Sequence, residues 1–175
     1  MATIASIASL FGCTAAPKGL EPIQGFELPR YLGLWYEIAR LDHSFERGLS
    51  NVTAEYTVRP DGAVDVVNRG YDDARGAWKE AHGRAVFRGA SDVGQLKVAF
   101  FWPFHGAYNV VALDREGYRW SLVAGPTREY FWILARSPEL DAALHERLVK
   151  AAAEMGFAVD QLIWVAQDRA ARRGK

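Results

Sequence analysis

The sequence predicts an all-β protein: an eight-stranded antiparallel up-and-down barrel with one C-terminal α-helix packed outside it. Three observations carry that expectation. Eight runs rich in β-branched and aromatic residues follow one another, most separated by short Gly, Pro and Asp turns. Within most runs apolar residues alternate with polar ones, the period of a strand with one buried face. After the last run, leucines recur every fourth residue, the period of a helix.

Gly33-Leu34-Trp35-Tyr36 opens the first strand, Trp35 to Leu41. A glycine turn there delivers a large apolar ring into the strand with little freedom. Asp42 to Asn51 is too long for a tight turn and carries the apolar residues Phe45 and Leu49. Pro60-Asp61-Gly62 separates Val52–Arg59 from Ala63–Tyr71, and Asp72 to Gly76 leads into Ala77–Arg88. Ser91 to Gly94 precedes Gln95–Phe101, and Pro103 to Gly106 precedes Ala107–Leu113. Arg115 to Gly117 precedes Tyr118–Ala124, and Gly125-Pro126-Thr127 precedes Tyr130–Ala135. Strands joined in this way form a meander, and about eight close into a barrel wide enough for one small ligand. Closure also removes exposed sheet edges.

Counting by twos assigns one parity to the interior: Trp35, Glu37 and Ala39; Ala54 and Tyr56; Val66 and Asn68; Ala85 and Phe87; Leu96, Val98 and Phe100; Tyr108, Val110 and Ala112; Trp120 and Leu122; Tyr130, Trp132 and Leu134. The other parity holds Thr53, Glu55, Thr57, Asp65, Arg69, Arg88, Lys97 and Arg119, as a solvated wall should. The interior mixes aromatics with alanines, which points to a cavity with room left over; a fully packed small barrel is the alternative. The candidate ligand-binding residues on this face are Tyr56, Val66, Asn68, Phe87, Val98, Phe100, Tyr108, Val110, Leu122 and Trp132. Glu37, facing inward, must be paired, protonated or wet. A tyrosine or an ordered water satisfies it, or it meets a ligand head group through water.

Ser137-Pro138 reads as the N-cap and first residue of the helix. Leu140, Leu144, Leu148, Ala151, Ala152 and Met155 form its apolar stripe, and Gly156 ends it. Val159 to Val165 reads as a short added strand.

Lys plus Arg equals Asp plus Glu, 21 each, so there is no basic excess for nucleic acid to meet. Cys13 is the single cysteine, so no intramolecular disulfide forms. There is no Gly-x-Ser-x-Gly elbow, phosphate-binding glycine loop or metal-spaced Cys/His cluster. No catalytic residue, metal or cofactor is expected.

Residues 1–12 are uncharged, and Leu10-Phe11-Gly12-Cys13 resembles a bacterial lipobox. The resemblance implies that Cys13 is lipidated and becomes the mature N-terminus, with residues 1–12 the remnant of a lipoprotein-type signal peptide. Residues 13–29, with Pro17, Gly19, Pro22, Gly25 and Pro29, read as a tether. A free cysteine in a disordered tail is the alternative. No Lys or Arg precedes the apolar run, unlike a secretory signal with its positive n-region; a start codon further upstream accounts for this. The barrel domain is then 30–168, and 169–175 is a basic tail.

Three stretches together resemble the lipocalin family: Gly33-x-Trp35-Tyr36, Tyr108-Asn109-Val110-Val111-Ala112-Leu113-Asp114, and Arg136 before the helix. The resemblance spans about Pro29 to Gln167 and is nearest to the bacterial outer-membrane lipoprotein branch, related to apolipoprotein D. It implies a lid in the Asp42–Asn51 loop, with Phe45 and Leu49 over the mouth, and three structural residues, Gly33, Trp35 and Arg136; because the strands that end at Trp35 and Arg136 must be neighbours for the barrel to close, Arg136 is expected to lie across Trp35 and seal the opposite end. It implies a non-enzymatic carrier of fatty acids or lysophospholipids, anchored to the outer membrane at Cys13 with the barrel facing the periplasm; a homodimer is compatible with it. Animal relatives often carry disulfides, and this chain departs from them there. Two rival readings are an enzyme using Glu37 with a pocket tyrosine, and an empty interaction module tethered at the membrane.

Overall fold

Period-2 patterning becomes a closed wall. The computed structural model describes residues 15–101 and 104–169; Cys13 and the tail from Ala170 lie outside them. The strands are β1 (Gly33–Arg40), β2 (Leu49–Val58), β3 (Val64–Asp72), β4 (Ala77–Phe87), β5 (Gln95–Phe101), β6 (Phe104–Leu113), β7 (Trp120–Ala124) and β8 (Phe131–Ala135). They form an antiparallel meander, and β1 pairs with both β2 and β8, so the sheet closes into a barrel. A two-residue strand, β9 (Ile163–Trp164), adds to β1 at Ala39 and Arg40. Outside the barrel lies α2 (Ala142–Glu154), and a one-turn helix, α1 (Leu28–Tyr31), precedes β1.

The helix starts later than Ser137-Pro138 suggests. Its N-cap is Asp141, whose carboxylate accepts a bond from the Leu144 amide at 2.9 Å; an aspartate placed three residues before a free amide satisfies one of the orphan donors of the first turn. At the other end Gly156 adopts φ +82°, with its amide bonded to the Ala153 carbonyl and that of Phe157 to the Ala152 carbonyl. This is a Schellman cap, and it needs a residue free to enter the left-handed region.

The apolar residues form two bodies. One fills the barrel: Trp35, Tyr56, Val66, Val98, Val110 and Leu134 are among its buried members, with Phe87, Phe100, Tyr108 and Trp132 packed against it. The other lies between the outer wall and α2, joining Ile38, Leu122, Phe131 and Ile133 to Leu148, Ala152 and Phe157. Leu122, expected in the cavity, belongs to this outer body, and so do Ala39, Ala112 and Trp120. For Ala39 and Ala112 the cause is a break in parity. The ladder shifts register between Glu37 and Ala39 in β1 and between Val110 and Ala112 in β6, and each extra residue turns the rest of its strand over. Leu122 pairs with Ala112 and both face out; β7 has no shift of its own, and its inward row is Ser121 and Val123, one position off the expected Trp120 and Leu122. Two members of the expected solvated wall are also buried: Thr53, and Arg69, which is held between Glu55 and Glu80 at 2.7 and 2.6 Å.

Successive turns divide the barrel into two ends. At one, the N-terminal segment crosses the opening: the Ile23 amide bonds the Val110 carbonyl and the Phe26 amide the Asp92 carbonyl. Further back, the segment is tied to the opposite end of the barrel. Arg128, in the β7–β8 loop, donates to the Lys18 carbonyl at 3.0 Å and to the Met155 carbonyl at 2.8 Å.

At the closed end the Arg136 guanidinium lies 3.9 Å from the centre of the Trp35 ring. It also donates to the carbonyls of Leu34, Arg30, Leu32 and Tyr118 at 2.8–3.3 Å. Gly33, at φ +90°, lets the chain turn beneath it, and a Cβ there would meet Arg136 Nη1 at 3.6 Å. A lysine keeps the charge but not the planar fork that reaches these carbonyls and the ring together. Arg136→Lys is therefore expected to destabilise the fold by about 2 kcal/mol. Urea unfolding followed by tryptophan fluorescence measures it, and an unchanged midpoint contradicts the stack as a stabilising feature.

Candidate functional site

The lumen is the concave feature that the strands build, and its two halves differ. Toward the closed end it is filled. Three phenol hydroxyls meet there: Tyr108 bonds Tyr31 at 2.8 Å and Tyr56 at 2.9 Å, and Tyr31 bonds Ser121 at 3.1 Å. Such a chain satisfies groups that would be expensive to bury alone. Burial raises the pKa of all three phenols, that of Tyr31 to about 12, so they stay neutral. Beside them, among Phe26, Leu28, Val64, Ala85, Leu96 and Val98, the enclosed space is about 10 Å³, room for one water. The expected spare room is absent from this half. Val110 faces inward here, but it sits near Ile23 against Gly94, with no exposed surface.

Toward the open end the inward-facing positions stay in touch with solvent. Ala54, Asn68, Phe100 and Trp132 are only half-buried and Ala81 is exposed. Residue size explains this: on β4 the inward positions opposite Asn68 and Val66 are Ala81 and Gly83. Asn68 Oδ1 is itself buried and has no hydrogen-bond partner among the described residues.

The β1–β2 loop closes over this end through charge. The register shift after Glu37 puts Arg40 on the same inner face, at 2.7 Å from Glu37 Oε1 and with both side chains buried. Arg40 also donates to the backbone carbonyls of Glu46 and Leu49, at 2.9 and 3.1 Å. Glu46 folds inward: its Oε2 accepts from Trp132 Nε1 at 3.0 Å and lies 3.0 Å from His43 Nε2. Phe45 stacks on His43 at 3.9 Å between ring centres and leaves 58% of its own surface exposed. Leu49 packs against Gly70. Glu37 is thus satisfied by an arginine, neither by a tyrosine nor by solvent. Alternation alone conceals this partner, because it places Glu37 and Arg40 on opposite faces.

Burial, and the Glu46 carboxyl beside it, hold Glu37 well above the usual carboxylate range, although Arg40 opposes the shift. A protonated Glu37 accepts from Arg40 through one oxygen and can donate through the other. Because its folded-state value is raised, its contribution to stability is complete below the unfolded value of about 4.3 and is lost as pH climbs through the folded one. Glu37→Gln keeps the shape of the neutral acid but cannot ionise. The difference in stability between Glu37→Gln and the wild type should therefore grow in the variant's favour as pH rises. Denaturation midpoints across a pH series test this, and parallel profiles contradict it. Glu37→Ala, which strands Arg40, is expected to lose about 3 kcal/mol.

Among the described residues no cluster of metal-ligating side chains occurs, and no helix is long and apolar enough to cross a membrane. A family model for a lipocalin-like domain matches residues 26–167. Outer membrane lipoprotein Blc of Vibrio cholerae serotype O1 is 51% identical over 158 residues, covering 90% of this chain and 92% of that protein. The protein of the same name from Escherichia coli K12 is 48% identical over 166 residues, covering 95% and 93%. Among solved structures, insecticyanin from the tobacco hornworm Manduca sexta superposes with a TM-score of 0.70 at 20% identity, over 89% of this chain and 88% of that one. Barrel, helix and matched relatives agree: the chain belongs to the lipocalin family, in its branch of bacterial outer-membrane lipoproteins.

Proposed function

We propose that this lipocalin is a membrane-anchored, non-enzymatic carrier that holds one acyl chain of a fatty acid or lysophospholipid in the open half of the barrel. The observation that carries this reading is the set of inward-facing, half-buried positions Ala54, Asn68, Phe100 and Trp132 above a filled floor. Val66, Val98, Tyr56 and Tyr108 form the floor that the end of the chain meets, and Phe87 supports it from the closed side. The head group sits at the open end, near Phe45 and Leu49. The names of the bacterial relatives support a place in the outer membrane. The rival reading as an enzyme loses its pair, since Glu37 bonds Arg40 while the tyrosine hydroxyls bond one another.

Each buried methylene contributes roughly 0.8 kcal/mol before association costs. Affinity should therefore rise with acyl length and then level off when the chain reaches the tyrosine floor. Titrating a series of fatty acids against tryptophan fluorescence reads this. Val66→Trp should fill the space opposite Gly83 and abolish binding while near-ultraviolet circular dichroism stays native. A folded Val66→Trp that binds like the wild type contradicts the site. Lipidation at Cys13 is tested separately: Cys13→Ser should move the protein from the membrane fraction to the soluble one and lower its mass by the acyl groups. Equal mass and partitioning of the two proteins exclude the anchor.

A further inference from the structure

The barrel closes on β1, but the closing seam is a ladder at one end only. β1 and β2 pair from Gly33–Tyr56 to Tyr36–Thr53. Beyond that, β1 runs with β8 and β9, and β2 runs with β3. From Glu37 to Arg40 and from Leu49 to Val52 the two strands share no ladder pair among the described residues. These two stretches are the stems of the β1–β2 loop. What joins them, apart from the Arg40 bond to the Leu49 carbonyl, is the chain beyond β9. The Val165 amide donates to the Ile38 carbonyl at 3.0 Å, and the Asn51 amide to the Ala166 carbonyl at 2.7 Å. Gln167 spans both stems with one group: its Nε2 donates to the Glu37 carbonyl at 2.8 Å and to the Val52 carbonyl at 2.9 Å. A side-chain amide with two donors can thus stand in for a missing rung. Asn51 is held by two further bonds, its Nδ2 donating to Asp168 Oδ1 at 3.0 Å and its Oδ1 accepting from the Arg169 amide at 2.8 Å. Asn51 is buried and sits at φ +53°, a conformation that asparagine tolerates better than most side chains. The β2–β3 register shifts between Ser50 and Thr53, around the same residue. The root of the loop is therefore a bend in β2, and the C-terminal segment holds that bend in place. The segment itself is lightly covered, with Ala166, Asp168 and Arg169 exposed. Bonds within reach of water are the first to break in local opening, whereas the ladders on either side break cooperatively.

We propose that residues 165–169 are a latch on the mouth of the barrel, with Gln167 joining the two stems and Asn51 as the hinge of the loop between them. Seated, the latch draws the stems together. Unseated, the stems part at Asn51 and the mouth widens for an acyl chain to pass. Gln167 and Asn51 are positioning residues, acting through the loop and not on the ligand. This rests on the acyl-carrier reading and adds to it the element that sets the rate of exchange.

The test uses the Cys13→Ser protein, alone and with one further substitution. Stopped-flow tryptophan fluorescence follows binding and release of oleic acid. Gln167→Met keeps the length of the side chain and removes both of its bonds. Association and release should both quicken by about tenfold, the worth of two neutral hydrogen bonds, while their ratio stays within about threefold, since a latch alters the barrier and not the end states. Asp168→Ala, at an exposed position, removes one bond and should quicken both by about threefold. Amide hydrogen exchange should rise over residues 41–52 in Gln167→Met and stay unchanged over β6 and β7. Arg136→Lys loosens the closed end and should leave both oleic acid rates unaltered. Folded Gln167→Met and Asp168→Ala proteins with unchanged rates overturn the latch and leave the carrier intact. Equal quickening in Arg136→Lys does the same, because it marks a general loss of stability. Faster release without faster association also overturns the latch, since the segment then shapes the bound state and not the barrier. Failure of the Cys13→Ser protein to bind oleic acid overturns the carrier and the latch together.

Discussion

The closed end depends on one cation that no carboxylate neutralises among the described residues. Arg136 is half-buried, and desolvation lowers its pKa, yet guanidinium stays charged in any protein environment. Its charge is met by four carbonyl dipoles and the face of Trp35. Those carbonyls belong to α1, the start of β1 and the β6–β7 turn, and the arginine itself follows β8. One side chain thereby fixes the entry of the chain, the closure of the sheet and the departure toward α2. The Trp35 indole is held from the other side as well, its Nε1 donating to the Tyr31 carbonyl at 2.8 Å. With this end rigid, adaptation to a ligand is left to the other.

The two ends treat buried polarity differently. The floor uses neutral hydroxyls that satisfy one another. Their burial is tolerable without charge, and they hold the packing in one arrangement. The β1–β2 loop uses ionisable groups, whose separation in a dry interior is costly. A barrel so arranged has a stiff base and a cover that is firm rather than loose.

Much of this was legible in the sequence. Turn residues and alternation locate all eight strands to within a few residues, because each strand has one face that must leave water. The Leu140-to-Met155 stripe locates α2, although its first turn is set by Asp141, which competes with Ser137 and wins because its carboxylate reaches the free Leu144 amide. What alternation cannot see is an extra residue inside a strand. The shifts near Ile38 and Val111 leave no mark in composition, and from them follow the outward turn of Ala112 and the inward turn of Arg40. Cys13 lies outside the described residues, and the roles of the lumen residues in binding rest on the proposal above.

The bond from Arg128 to the Lys18 carbonyl sets a leash. Lys18 is held at the β7–β8 loop, on the open end, and lies five positions after Cys13. Fully extended, five residues span at most about 18 Å, little more than half the thickness of a bilayer's hydrocarbon core. Anything bonded to Cys13 must therefore remain on the side of the mouth and not of the closed floor. For a chain anchored there by lipid, the barrel cannot hang away from the surface on a long tether with its opening in free solution. The open rim and the leaflet become near neighbours by the geometry of attachment alone, and exchange between them becomes a matter of a few tens of ångströms instead of free diffusion.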